Sequence, residues 1–283
     1  MTLLPNPALD RLRVLPRRVG GSRGTGERRA RTTGAGMEFA DYRPYQPGDD
    51  PRHIDPQLYQ RFGTLNLRQF SASKQLMVVL CIDASASMGF DDGAKLNAAK
   101  ALCATLAQAA LMGGDAVQVI AVGPEGLRKS DIFARRTDVV PVLNWLSAIT
   151  ATGGDAFHRT LRATAQSLPR EALVVVASDF WSTENPDLLH DLAHEGREIW
   201  LAQILSEDER SPKLESDGTL AVTDAETGEE VILPAAAARD YMSALTAWTG
   251  ALEKEVAGLG GECIGLSPME EMTTRLLTEG WVG

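Results

Sequence analysis

The sequence predicts a doubly wound α/β fold built on a mostly parallel sheet. Three observations carry that prediction: an uninterrupted apolar run from Leu76 to Ile82, further short apolar runs near Ala116, Ala172 and Ile199, and long helix-like stretches between most of them. A strand written as continuous apolar sequence is covered on both faces, as strands of parallel sheets are. Alternation of such strands with helices is the pattern of a layered α/β domain. With 283 residues, 44% hydrophobic and 23% charged, the chain has globular composition and enough length for one large domain or two smaller ones.

In chain order, residues 1–36 form a basic head. Arg11, Arg13, Arg17, Arg18, Arg23, Arg28, Arg29 and Arg31 face only Asp10 and Glu27, while the whole chain carries a formal charge of −10. The head is glycine-rich and poor in apolar residues, so it is expected to be a flexible tail that adds little to the core, free to touch an anionic surface through residues 11–31. It has no aromatic residue to stack on bases, and the acidic remainder repels a phosphate backbone, so nucleic acid is not an expected partner. Residues 37–74, with Pro44, Pro47, Pro51 and Pro56, are expected to form a preamble, ahead of the first buried strand, that packs on the core.

From residue 75 to 283 the α/β domain unfolds element by element. Leu76 to Ile82 is the first buried strand, and Lys95 to Met112, rich in alanine and leucine and stopped by Gly113 and Gly114, is its crossover helix. Ala116 to Val122 is a second strand and the more polar Arg128 to Ala134 its edge hairpin partner. Val139 to Ile149 and Phe157 to Leu168 are helices, separated by the loop Thr152-Gly153-Gly154-Asp155. Ala172 to Ala177 is again a buried strand, Asn185 caps a helix begun by Pro186 and ending near Gly196, and Ile199 to Leu205 is the next strand. A polar insertion over about 206–234 holds a hairpin, Leu220 to Val222 with Glu230 to Leu233. The long helix Ala235 to Val256 and a final pair, Glu262 to Leu266 and Pro268 to Glu279, complete the series.

Several function classes drop out. No apolar run approaches the roughly 20 residues needed to cross a bilayer, and Leu3 to Leu15 is too broken by proline and charge to be a secretory signal. Cys81, Cys103 and Cys263 are odd in number and set in apolar segments, as buried reduced thiols of a cytoplasmic protein are. No phosphate-binding G-x-x-x-x-G-K-[ST] loop and no G-x-S-x-G elbow is present. His190 and His194 have the spacing of a zinc pair, but no third ligand accompanies them, and a solvated helix face is expected.

In an open parallel sheet, ligands bind beyond the carboxyl ends of the strands. Three oxygen-rich clusters belong to that edge: Asp83-Ala84-Ser85-Ala86-Ser87 after the most apolar strand, Thr152-Gly153-Gly154-Asp155, and Ser178-Asp179. Taken singly, Asp83 and Ser85 also fit a helix cap and Asp179 a turn residue. Together, Asp83, Ser85, Ser87, Asp155 and Asp179 offer hard oxygen ligands suited to Mg²⁺, with Mn²⁺ or Ca²⁺ as alternatives. The rival reading is a metal-dependent phosphatase with Asp83 as nucleophile. Its general acid belongs two residues on, where this chain has Ser85. Trp181, two residues beyond Asp179, is placed to act as an interface anchor.

Asp83-x-Ser85-x-Ser87, the glycine-rich loop and Ser178-Asp179 resemble the metal-ion-dependent adhesion site of von Willebrand factor type A domains. The stretch Glu38-Phe39-Ala40-Asp41-Tyr42-Arg43-Pro44-Tyr45-Gln46-Pro47-Gly48-Asp49-Asp50-Pro51-Arg52-His53-Ile54-Asp55 is similar to the signature of a bacterial family, domain of unknown function 58 (DUF58). Asp224-Ala225-Glu226-Thr227-Gly228-Glu229 resembles that family's late insertion, so the likeness extends over most of the chain beyond the basic head. The resemblance implies a Rossmann-like type A fold and a non-enzymatic protein-interaction module. It further implies that Ser85 and Ser87 ligate metal directly, that Asp83 and Asp179 act directly or through water, and that a partner's carboxylate fills the vacant position. A MoxR-type AAA+ ATPase is the partner it suggests. Two departures stand out: Asp155 follows the paired glycines where the family has threonine, with Thr152 ahead of them, and Pro56 replaces a tryptophan.

Overall fold

In the computed structural model the described residues are 3–19, 37–72, 75–123, 126–151, 156–181, 185–212, 219–223 and 230–283. The chain divides into a small unit, residues 20–75, and a large one formed by residues 76–283 together with residues 1–19.

In the small unit, β1 (Met37–Pro44) and β2 (Asn66–Ala72) pair antiparallel, with Pro44 opposite Asn66 and Met37 opposite Ala72. Between them lies α1 (Pro56–Phe62). Asp55 caps it by accepting the Gln57 and Leu58 N–H groups, and Pro56 occupies the first helical position, where a missing N–H costs nothing. The departure from the family pattern at Pro56 is therefore compatible with the helix start. Arg43 forks onto Asp49 at 2.7 and 2.6 Å, and the Tyr42 hydroxyl donates to Asp55 Oδ2 at 2.8 Å. The signature residues of this stretch thus build and pin the unit itself.

The large unit runs β3 (Met77–Asp83), α2 (Phe90–Met112), β4 (Ala116–Gly123), β5 (Gly126–Lys129), α3 (Val139–Ser147), α4 (Phe157–Ala165), β6 (Leu173–Ser178), α5 (Asn185–Ala193), β7 (Glu198–Ile204) and α6 (Glu207–Arg210). It continues with β8 (Thr219–Thr223), β9 (Glu230–Pro234), α7 (Ala235–Gly258), β10 (Glu262–Leu266) and α8 (Met272–Glu279). One sheet has the order β10-β7-β6-β3-β4-β5, with every pairing parallel except that of β4 with the edge strand β5. This is the doubly wound α/β architecture. A separate antiparallel pair, β8 with β9, is the inserted hairpin; Asp224 to Glu229 lies outside the described residues.

Alternate side chains of each strand point to opposite faces, so β3 feeds two cores. Val78, Leu80 and Ile82 join the cluster under α2, α3 and α8, while Val79 and Cys81 join the one that includes Phe157, Leu161, Leu188 and Leu192 of α4 and α5. Trp200 and Trp281 stack in the first core with ring centroids 4.6 Å apart. Among the described residues, no helix is long and apolar enough to cross a membrane.

The start of the chain departs from the expected flexible head. Residues 3–19 belong to the large unit, and Leu3, Leu9, Val14 and Val19 are buried. Arg13 and Gly283 exchange backbone hydrogen bonds at 2.8 and 3.0 Å, and Gln108 accepts from the Asn6 N–H and donates to the Asn6 carbonyl. Glu198 accepts the N–H groups of Arg17, Arg18 and Val19. These few apolar side chains and saturated backbone groups make residues 3–19 a strap on the core; residues 20–36 lie outside the described residues.

Candidate functional site

Asp83 ends β3 and Ser178 ends β6, and because these strands are parallel neighbours, both chain exits open at one edge of the sheet. Asp83 Oδ1 accepts the Ser85 N–H at 2.9 Å, and Oδ2 accepts the Ser178 hydroxyl at 2.6 Å. The hydroxyl oxygens of Ser85 and Ser87 are 3.1 Å apart. Phe180, fully buried, has φ 59°, a left-handed conformation that is an outlier for a bulky residue. Its turn, tied by the Phe180 N–H to Ser178 Oγ, lets Asp179 and Trp181 face the same cleft.

The cleft has a volume of about 600 Å³. Asp83, Ser85, Ser87, Lys95 and Asp179 line it together with Asp208 and Glu209, and Phe90, Trp181, Leu220, Val222, Leu233 and Tyr241 give it an apolar wall. Four of the five residues expected from sequence therefore meet. The fifth, Asp155, lies with Thr152 outside the described residues. A Cβ added to Gly89, just past the serine turn, would stand 2.9 Å from Ala151 Cβ, and His158 lines the cleft. Lys100, also buried on α2, donates to the carbonyls of Ser147 and Ile149 at the end of α3.

The electrostatics centre on Asp83, Asp179, Glu209 and Lys95. Lys95, 1% exposed, places Nζ 3.0 Å from Asp179 Oδ2 and 2.7 Å from Glu209 Oε1. Burial alone lowers its pKa, yet these two neighbours hold it above the ordinary lysine value. Burial, followed by the charge of Asp179, pushes the Asp83 carboxyl up to about 7 against the hydrogen bonds from Ser178 and Ser85. Glu209 is itself held in place. Ser206 and Glu209 form a reciprocal cap at the start of α6, the Tyr241 hydroxyl donates to the Glu209 carbonyl at 2.7 Å, and Trp181 Nε1 donates to Oε1 at 3.4 Å.

Among the described residues no group of three or more His, Cys, Asp and Glu side chains is arranged to hold a metal. The donor set at the cleft is different in kind: two adjacent hydroxyls beside a buried carboxylate. It suits a hard divalent cation, because Lys95 is shared between Asp179 and Glu209, and among the described residues four acidic side chains line the cleft with one lysine. His190 and His194 lie away from it on exposed positions, with His190 Nε2 3.0 Å from Glu255 Oε1. Sequence reasoning missed Glu209 and Tyr241 and saw in Lys95 only the start of a crossover helix. The available signal was Lys95 itself, a charge inside an Ala/Leu-rich helix that the fold had to bury and pair.

The family described as Protein of unknown function DUF58 matches residues 41–249. Uncharacterized proteins of Mycobacterium bovis and Mycobacterium tuberculosis are each 25% identical over 241 residues, covering 82% of this chain and 75% of theirs. Among solved structures, BatB from Bacteroides thetaiotaomicron superposes with a TM-score of 0.46 at 13% identity, over 73% of this chain and 96% of that one. An aerotolerance-related membrane protein from Bacteroides fragilis gives 0.45 at 14% identity, over 72% and 96%. The SpRpn10 VWA domain gives 0.39 at 12% identity, over 73% and 95%.

Proposed function

From the premise that this chain belongs to the DUF58 family, we propose that it is a non-enzymatic, cytoplasmic protein-interaction module with a metal-ion-dependent adhesion type of site at the carboxyl edge of its sheet. The observation that carries this reading is the meeting of Asp83, Ser85, Ser87 and Asp179 at one cleft, where Lys95 is already shared by two carboxylates. Asp83, Ser85 and Ser87 would hold Mg²⁺, Mn²⁺ or Ca²⁺, with Asp179 beside them and Asp155 as a further oxygen, and the ion would supply an open position for a partner's carboxylate. The chain's own part is orientation. Ser178 and the Ser85 N–H fix the Asp83 carboxylate, and the Phe180 turn sets Trp181 at the rim, 40% exposed, where an aromatic anchors a partner. Phosphoryl transfer through Asp83 is disfavoured, since Ser85 stands where the acid belongs and pairs with Ser87. The assignment of a MoxR-type AAA+ ATPase as partner rests on the family resemblance.

The test is isothermal titration calorimetry of the full chain with Mg²⁺ and Mn²⁺. One site is expected, lost in Asp83→Ala with Ser85→Ala. Equal heats from the double variant would remove the assignment. Turnover of an aryl phosphate that disappears in Asp83→Asn would replace it with the phosphatase.

A further inference from the structure

We infer that Lys95 is a specificity-determining residue of the cleft: its ammonium stands as a resident cation between Asp179 and Glu209, withholds both carboxylates from an incoming metal ion, and so sets which ion the cleft takes. The inference rests on the metal-dependent reading above. Three features of the structure support it.

First, the ammonium is fixed. Its side chain is 1% exposed and bound at 3.0 and 2.7 Å by carboxylates from two separate elements, the end of β6 and α6. Second, Glu209 is no loose counter-ion. The cap with Ser206, the Tyr241 hydroxyl on its carbonyl and the Trp181 indole on its carboxylate hold it toward Lys95. Third, the two hydroxyls and Asp83 are not engaged by the ammonium. Asp83 accepts from Ser85 and Ser178, and Ser85 pairs with Ser87.

The chemical consequence follows from what different ions require. Mg²⁺ binds through one or two carboxylates and keeps several waters, whereas Ca²⁺ gathers six to eight oxygens and gains from added carboxylates. With Lys95 in place, Asp83, which the ammonium does not engage, and the two hydroxyls form a set for Mg²⁺. Without it, Asp179 and Glu209 join Asp83, and the set turns toward Ca²⁺. Because Glu209 also takes the Trp181 indole, removal of the ammonium reaches the apolar wall as well.

The experiment is calorimetric titration of the full chain with Mg²⁺ alone and Ca²⁺ alone, for wild type, Lys95→Met and Lys95→Arg, with thermal melts in chelator as the fold control. Lys95→Met is expected to raise Ca²⁺ affinity relative to Mg²⁺ about tenfold or more, and Lys95→Arg to restore the wild-type ratio. Should Lys95→Met fail to fold with its carboxylates unbalanced, Lys95→Met with Glu209→Gln releases Asp179 alone and is expected to shift the ratio in the same direction. A wild type that binds divalent ions with a ratio unchanged in the variants overturns the role of Lys95 and leaves the metal site standing. Binding by the lysine variants but not by wild type supports the resident cation and shows that it fills the cleft by itself. No heat from either ion with any variant overturns the metal reading and this inference together.

Discussion

Two buried carboxylates sit at opposite edges of the same sheet, and they are satisfied differently. Glu198, at the start of β7 and 1% exposed, accepts the N–H groups of Arg17, Arg18 and Val19 at 2.8, 2.5 and 2.9 Å and the Trp200 indole at 2.9 Å. Asp83, at the end of β3 and 2% exposed, accepts two hydrogen bonds and stands near the like charge of Asp179. An ionised carboxylate offers about four lone-pair positions. Glu198 has its positions filled by the fold and acts as a knot for the strap. Asp83 takes fewer such bonds among the described residues and lines the cleft beside Asp179.

The comparison breaks most visibly at the knot. Glu198→Ala leaves three strap amides and an indole without their acceptor and frees the strap that buries Leu3, Leu9, Val14 and Val19. Hydrogen bonds to a charged group contribute about 1.5–3 kcal/mol each, and not additively, so denaturant unfolding is expected to show a loss of about 3–5 kcal/mol. Metal titration should be unchanged, since the knot lies at the other edge. A loss below about 1 kcal/mol would show that the two carboxylates do not differ as argued.

Asp83 sharpens the contrast through pH. Its carboxyl is raised from the ordinary 3.8 to about 7, so the native state holds this proton more tightly than the unfolded chain does. The stability it contributes is present in full below about pH 4 and is lost as pH rises through about 7. In chelator, wild type is expected to lose on the order of a few kcal/mol over that window, and Asp83→Asn to flatten the profile. A divalent ion should shrink the wild-type loss. Parallel profiles for wild type and Asp83→Asn would contradict the assignment.

The strands were legible because burial on both faces writes an unbroken apolar run, as in Leu76 to Ile82 and in β6. Helix ends were less so. α2 begins at Phe90 rather than Lys95, because Asp91, Asp92 and Gly93, poor helix formers, interrupt the apolar period of its first turns, where Asp92 and Gly93 take left-handed conformations. The strap was not legible at all. Leu3, Leu9, Val14 and Val19 follow no period, and what buries them is a facing surface distant in sequence. The same holds at the cleft. Asp83, Ser85, Ser87 and Asp179 announce themselves by standing at strand ends, whereas Lys95 and Glu209 are 114 positions apart and leave no local pattern.

The smallest effect is expected where sequence spacing looked most like chemistry. His190 and His194 have the interval of a zinc pair, yet His190 is 62% exposed on its side chain and faces Glu255, and His194 is exposed beyond the end of α5. Neither lines the cleft with Asp83 and Asp179. Surface pairs of this kind contribute at most about 1 kcal/mol, and solvent and salt screen them. His190→Ala with His194→Ala is therefore expected to leave thermal unfolding within a degree or so of wild type, and the Mg²⁺ and Mn²⁺ heats unchanged. Loss of a Zn²⁺ heat in this variant alone would mean that the helix face, and not the strand ends, holds the metal chemistry of the fold.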